Sequence, residues 1–247
     1  MKIYGLIGNP LSHSFSKKYF TEKFSRENIT GCQYQNFEIK NLQKEIPALK
    51  NNPLLSGLNV TIPYKSDIIT FLDTISAECS EINACNCIKI HNGKWSGFNT
   101  DVTGFEKSFV PYLQPHHKKA LILGTGGSSK AVAYVLKKKG IEFLFVSRRN
   151  DVSSGVINYE SISSLLMQEY SIIINTTPVG MFPNVEECPP LPYEYISDKH
   201  YFFDLVYNPP KTVFLSKAEA MGAVIKNGSD MLSIQAEESW KIWNNLK

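Results

Sequence analysis

The stretch from Lys118 to Arg149 constrains the fold more than any other part of the chain. An apolar run, Ala120 to Leu123, breaks at Gly124-Thr125-Gly126-Gly127-Ser128-Ser129. A helical pattern then runs to Gly140, and Glu142 to Val146 reads as a second strand. Strand, glycine-rich turn, helix, strand is the order of a dinucleotide-binding βαβ unit. Gly124 permits a tight turn, Gly126 lets backbone N–H groups approach a pyrophosphate, and the helix N-terminus behind them carries partial positive charge. Ser129 stands where the fingerprint has its third glycine.

The end of the second strand discriminates between cofactors. A strand that serves NAD usually ends in Asp or Glu, which holds the ribose 2′-hydroxyl. This one ends in Ser147, Arg148 and Arg149. A carboxylate would repel a 2′-phosphate, whereas a guanidinium binds it bidentately and stacks on adenine. The residues predict NADP(H), cradled by Gly124, Thr125, Gly126, Gly127 and Ser128 and selected by Ser147, Arg148 and Arg149.

Composition narrows the setting. With 247 residues, 43% of them hydrophobic, the chain can bury one large core or two modest ones. Lys plus Arg exceed Asp plus Glu by only 26 to 23, too slight a bias to argue for nucleic acid or a membrane surface. Asn9-Pro10 stops the apolar run Ile3 to Ile7 before a signal-peptide core forms, and no apolar stretch approaches a membrane span, so a cytoplasmic protein is expected. The cysteines are Cys32, Cys79, Cys85, Cys87 and Cys188, an odd number without a CxxC pair. Reduced thiols and no metal site are the expectation. Cys85 and Cys87 alternate with Asn86, so the two thiols should share one face of a strand.

Because the glycine turn starts so late, roughly 100 residues precede it, enough for a separate domain. The fold class expected is α/β: an N-terminal α/β domain, 1–101, and a Rossmann-like NADP-binding domain, 102–229, with a cleft between them. In the first, Lys2 to Ile7, Gln33 to Ile39 and Leu58 to Ile62 read as strands. Helices are expected through Phe15, Tyr19, Phe20 and Phe24 and near Leu42 to Leu49. Cys85 to Ile90 and Lys94 to Phe98 flank the hairpin signal Asn92-Gly93. A helix over Val102 to Leu113 leads into the second domain, which continues with a weak helix near Tyr159 to Met167 and strands at Ser171 to Asn175, Tyr201 to Leu205 and Ala223 to Lys226. A last helix, about 230–247, can pack back on the first domain.

Chemistry-bearing residues gather at strand ends. Asn59-Val60-Thr61-Ile62-Pro63-Tyr64-Lys65 places Thr61 and Lys65 beyond a buried strand, with Pro63 stopping the ladder and starting a helix. Asn99-Thr100-Asp101 does the same for Asp101 after the hairpin. A lysine and a carboxylate at a cofactor cleft can manage proton transfer during hydride chemistry.

Eight strings, in order, carry a resemblance: IGNPLSHSFS from Ile7, NVTIPYK from Asn59, INACN from Ile82, NTD from Asn99, GTGGSSKA from Gly124, INTTPVGM from Ile174, DLVYNPPKT from Asp204 and NGSDMLSIQAEESW from Asn227. Over essentially its whole length the chain resembles the shikimate dehydrogenase family. The resemblance implies reversible, NADPH-dependent reduction of 3-dehydroshikimate to shikimate, on the route to aromatic amino acids, by a monomer or homodimer. It implies that Lys65 and Asp101 are catalytic and that Ser14 and Ser16 hold the substrate carboxylate, period-2 spacing letting both hydroxyls point one way. Thr61, Asn86, Gln235 and Tyr207 would read the ring hydroxyls, and Thr176 and Gly228 would complete the cofactor set. His13 is expected to be structural.

The chain departs from the family pattern at Lys17, Asn83, Phe98, Ser128 and Ser129. Lys17 adds positive charge beside the proposed carboxylate site, and Asn83, in place of glycine, tolerates a left-handed backbone. A quinate or dual quinate/shikimate dehydrogenase, a non-catalytic NADP-sensing protein, and another two-domain pyridine-nucleotide enzyme such as a folate dehydrogenase remain alternatives. Retention of Lys65 and Asp101 argues against the sensor.

Overall fold

The computed structural model describes residues 1–11, 14–148 and 155–246. The expectations for His13 and Arg149 lie outside those residues. The chain divides into two compact units, Met1–Thr100 with Ala236–Lys247, and Asp101–Gln235.

The first unit runs β1 (Lys2–Gly8), α1 (Phe15–Arg26), β2 (Cys32–Glu38), α2 (Leu42–Lys50), β3 (Leu55–Val60), a 3-10 turn at Asp67–Phe71, β4 (Thr74–Ile75), α3 (Ala77–Ile82), β5 (Cys87–His91) and β6 (Lys94–Phe98). Its sheet has the order β2-β1-β3-β5-β6-β4. The β1 strand is parallel to β2 and β3, while β3–β5 and β5–β6 are antiparallel. Side chains alternate across a strand, so Ile3 and Ile7 enter one apolar cluster with Leu58, Val60 and Trp95, and Tyr4 and Leu6 enter another with Phe20, Tyr34 and Trp243. Both faces of β1 are covered, which is why it reads as an almost unbroken apolar run. Asn92 and Gly93 both take positive φ, 51° and 73°, as the two-residue hairpin turn requires.

The second sheet has a different logic. Its chain order is α4 (Thr100–Phe109), β7 (Lys119–Leu123), α5 (Gly127–Lys138), β8 (Glu142–Ser147), β9 (Val156–Asn158), α6 (Ser164–Glu169), β10 (Ile172–Asn175), β11 (Tyr201–Asp204), α7 (Val213–Ala220), β12 (Val224–Lys226) and α8 (Ser229–Asn244). The order across the sheet is β12-β11-β10-β7-β8-β9, and all five pairings are parallel. Counted from β7, this is the 3-2-1-4-5-6 order of a dinucleotide-binding sheet, reversing between β7 and β10. Leu121, Leu123, Val146, Ile173 and Phe202 share one core cluster. Phe105 and Phe109 pack against Tyr201 and Phe203. The end of α8 belongs to the first unit: Trp240 and Trp243 are buried with Tyr4 and Phe20, and the Trp243 indole N–H donates to the Ile88 carbonyl at 3.0 Å.

Several local expectations fail for identifiable reasons. The strand expected at Leu58 to Ile62 is Leu55–Val60, and Pro63 starts no α-helix. The Tyr64 N–H donates to the Thr61 carbonyl, a turn closure three residues back, and turns lead to the short 3-10 segment. Cys85 and Cys87 do not share a face. The β5 strand begins only at Cys87, the Cys85 N–H donates to the Lys65 carbonyl at 2.7 Å, and the two thiols enter different clusters. The helix expected over Tyr159 to Met167 is divided because Ser163 caps α6, accepting from the Leu166 N–H. Strand β9 is three residues long, too short for an alternating pattern to show.

Candidate active site

In the first unit, register decides which residues meet. Ile7 lies opposite Val60, Asn59 opposite Cys87, and Cys87 opposite Phe98. Because β5 runs against β3 and β6 runs back again, the chain after β1, after β3, before β5 and after β6 emerges at one end of the sheet. Ser14, Thr61, Lys65 and Asn86 therefore sit on neighbouring loops.

Those loops are tied down. Tyr64 is buried and its hydroxyl donates to the Ile39 carbonyl at 2.6 Å, anchoring the turn that carries Lys65. The Ser66 hydroxyl holds the Asn83 carbonyl at 3.0 Å, and the Asn99 amide holds the Ala84 carbonyl at 2.8 Å. Asn83 ends α3 in the left-handed region at φ 52°. Asn86 is 3% exposed, and its Oδ1 accepts from the Thr100 N–H at 2.7 Å and the Thr100 hydroxyl at 3.2 Å. That engagement fixes which way the Asn86 amide group faces.

The serine pair behaves differently from an extended segment. Ser14 is the N-cap of α1, its Oγ accepting from the Lys17 N–H, whereas Ser16 lies within the helix and is buried. Helical rotation replaces the period-2 alternation that was expected to aim both hydroxyls one way. Burial raises the Tyr34 phenol well above its ordinary pKa, and the nearby Ser16 side chain partly opposes that rise. Tyr34 donates to Asn59 Oδ1 at 2.9 Å, and Asn59 donates to Ser239 Oγ at 2.8 Å. Ser14 lines a recess of about 500 Å³ with Leu11, Lys17, Lys18, Thr21, Glu22 and Asn36, in which the Lys18 ammonium lies 3.9 Å from the Glu22 carboxylate.

In the second unit, the glycine turn sits at the point of strand reversal. Gly124 has φ 103°, and a Cβ there would lie 2.9 Å from both Thr176 Oγ1 and Thr177 Cγ2. Glycine is thus required twice, by backbone and by space. Gly126 is the N-cap of α5, and a Cβ on it would meet nothing within 4 Å. Open space ahead of a helix N-terminus, with partial positive charge behind it, fits a dinucleotide pyrophosphate. Ser129 is fully buried and its hydroxyl donates back to the Gly126 carbonyl at 2.6 Å, stabilising the turn that a third glycine would otherwise line.

The remaining predicted residues also have definite places. Ser147 ends β8, and Arg148 follows it, exposed. Burial raises the Tyr159 phenol, and the nearby Arg148 guanidinium partly offsets that rise. Thr176 donates its hydroxyl to the Leu123 carbonyl at 2.6 Å. Gly228 is required by close approach, since a Cβ would lie 2.2 Å from the Leu205 carbonyl oxygen. Tyr207 is half-buried, and desolvation holds its phenol above the ordinary value, so it stays a donor. Asp101, in the first turn of α4, and Gln235, on α8, are both buried. Lys65 belongs to the first unit and Asp101 to the second.

Sequence reasoning missed Tyr34, Asn59, Thr100 and Ser239, which form the polar chain behind Asn86. Asn59, Thr100 and Ser239 lie inside strings already singled out. Their signal is a polar residue in an otherwise buried strand or helix, which demands a partner. Among the described residues no group of three or more His, Cys, Asp or Glu could hold a metal ion.

Comparison with known proteins bears on the family and the fold. Residues 6–88 match the family model described as the shikimate dehydrogenase substrate binding domain. The chain is 37% identical to the shikimate dehydrogenase (NADP(+)) of Caldicellulosiruptor saccharolyticus, over 100% of this chain and 93% of that protein. It superposes on the crystal structure of shikimate dehydrogenase 1 from Peptoclostridium difficile with a TM-score of 0.84, at 36% identity over 100% of this chain and 93% of that one. The shikimate 5-dehydrogenase of Thermus thermophilus, solved in complex with NADP(H) and shikimate, superposes with a TM-score of 0.86 at 27% identity, over 100% of this chain and 94% of that one.

Proposed function

We propose that this chain, which belongs to the shikimate dehydrogenase family, catalyses the reversible NADPH-dependent reduction of 3-dehydroshikimate to shikimate. The observation that carries the reading is the second unit's 3-2-1-4-5-6 sheet with Gly124 at its reversal point and Arg148 after its second strand. Full-length similarity to proteins named for this reaction supports it. Bound NADPH supplies hydride to the ring ketone carbon.

The protein's own residues do the rest. Gly124, Thr125, Gly126, Gly127 and Ser128 hold the pyrophosphate against the start of α5, while Ser147, Arg148 and Arg149 take the 2′-phosphate. Thr176 and Gly228 complete the cofactor wall. Ser14 and Ser16 bind the substrate carboxylate, with Lys17 contributing long-range attraction to the anion. Asn86 presents its amide to a ring hydroxyl, its oxygen already engaged by Thr100, and Thr61, Gln235 and Tyr207 read the others. Lys65 protonates the alkoxide oxygen that develops as the ketone is reduced, and Asp101 shares its proton inventory. Because that charge appears mainly in the transition state, the pair lowers the barrier more than it tightens binding. Shikimate, 3-dehydroshikimate and NADP(H) are the small-molecule partners, and the site of action is the cytoplasm. Among the described residues no helix is long and apolar enough to cross a membrane.

The test is the initial rate of 3-dehydroshikimate reduction with NADPH and, in parallel, NADH. Rapid turnover strongly favouring NADPH is expected. Equal rates with both cofactors would overturn the assignment of the arginines, and no turnover with either would overturn the reaction.

A further inference from the structure

A buried carboxylate outside the predicted site ties the cofactor loops of the second unit together. Asp204, at the C-terminal end of β11, is 0% exposed. Its Oδ1 accepts from Asn175 Nδ2 at 3.0 Å and from the Val206 N–H at 3.0 Å, and its Oδ2 accepts from the Thr212 hydroxyl at 2.6 Å. All the donors are neutral, and among the described residues no cation contributes to its environment. A buried carboxylate compensated only by neutral donors is a costly arrangement for a sheet end to carry.

Each donor belongs to a separate piece of chain at the C-terminal edge of the sheet, where open α/β sheets bind ligands. Asn175 ends β10, and its Oδ1 accepts from the Thr177 N–H at 3.0 Å and the Thr177 hydroxyl at 2.6 Å. The bracketed residue, Thr176, is the one packed on Gly124. Val206 opens the turn to Tyr207, and its carbonyl accepts from the Gly228 N–H at 3.2 Å. Thr212 caps α7, accepting from the Leu215 N–H at 3.3 Å while donating to Asp204. One carboxylate therefore sets the Thr176 loop, the Leu205–Tyr207 turn with Gly228 behind it, and the start of α7. An amide in its place would offer one acceptor instead of two and aim an NH₂ group at donors.

We propose that Asp204 is a positioning residue for the dinucleotide, holding the Thr176 and Gly228 walls at the spacing that NADP(H) requires. The inference rests on the proposed function and extends it to a residue that touches no ligand. Asp204→Asn should weaken NADPH binding to the ligand-free protein about tenfold, read from NADPH fluorescence, and raise the cofactor KM by a similar factor. The shikimate KM and kcat at saturating cofactor should change less than threefold. The exchange Asp204→Asn with Asn175→Asp restores an acceptor–donor complement between the two positions and should recover most of the affinity.

A purely structural role would lower thermal stability and the active fraction in both variants while leaving the Kd of the surviving protein unchanged, and that result would overturn the proposal. If Asp204→Asn does not fold, Thr212→Val removes one donor and should still weaken NADPH binding severalfold; an unchanged Kd there would overturn it equally. Failure of the unsubstituted protein to bind NADPH would instead overturn the proposed function.

Discussion

The same carboxylate makes a quantitative prediction about pH. Burial pushes Asp204 up to about 6 from an ordinary 3.8, the Thr212, Val206 and Asn175 donors opposing the rise. A displacement of that size corresponds to roughly 3 kcal/mol between the two protonation states. Since the folded-state pKa lies above the unfolded one, the folded chain binds the proton more tightly. The stabilising contribution of the neutral form is therefore fully present below about pH 4 and is lost as pH rises through about 6. Between about pH 5 and about pH 7.5 the expected loss is on the order of 1 kcal/mol.

Asp204→Asn cannot titrate, so the stability of the unsubstituted protein relative to the variant should fall by that amount over this interval, whatever other groups contribute to both. Urea unfolding followed by far-UV circular dichroism reads the difference. Tryptophan fluorescence does not, because Trp95, Trp240 and Trp243 all lie in the first unit. A stability gap constant with pH, or one moving the other way, would refute the reasoning that burial dominates at Asp204.

Three further outcomes are expected. Lys65→Ala should lower kcat on the order of a hundredfold or more with little change in the shikimate KM; steady-state kinetics with a near-normal kcat would contradict the catalytic role. Arg148→Ala should weaken NADPH binding roughly ten- to a hundredfold and NADH binding hardly at all, as loss of a charge-assisted contact predicts. Equal losses in the two titrations would reduce the arginine to a support. Trp243→Ala empties space beside Tyr4, Phe20 and Tyr34 and removes the indole donor from the Ile88 carbonyl. It should cost about 3 to 5 kcal/mol in denaturant unfolding, and a cost below about 1 kcal/mol would show that the helix end is not part of the core.

The strands and helices that the sequence made legible are those whose pattern is local. The Ala120–Leu123 run, the glycine turn and the helix behind it are visible because apolar periodicity and glycine carry the signal by themselves. Asn92-Gly93 is visible because few other pairs take positive φ twice. What stayed hidden depends on pairing between distant segments. Cys85 looked like a strand residue, but the Lys65 carbonyl claims its N–H before the ladder begins. Ser14 and Ser16 looked like an extended pair, but Ser14 caps a helix. Asp204 gave no sign of its role, because its donors come from residues 175, 206 and 212 and meet only when β10 and β11 lie side by side. Within the candidate site, residue types were readable where chemistry demands them, and their supports were not, since a support is recognised only by what it touches.

The measurement that tests the central claim most directly is the absorbance rise of NADPH when purified protein meets shikimate and NADP, run beside quinate and beside NAD. Fast turnover confined to shikimate with NADP is the predicted result. Tight NADP binding without turnover on either acid would contradict the claim that this chain is a working shikimate dehydrogenase.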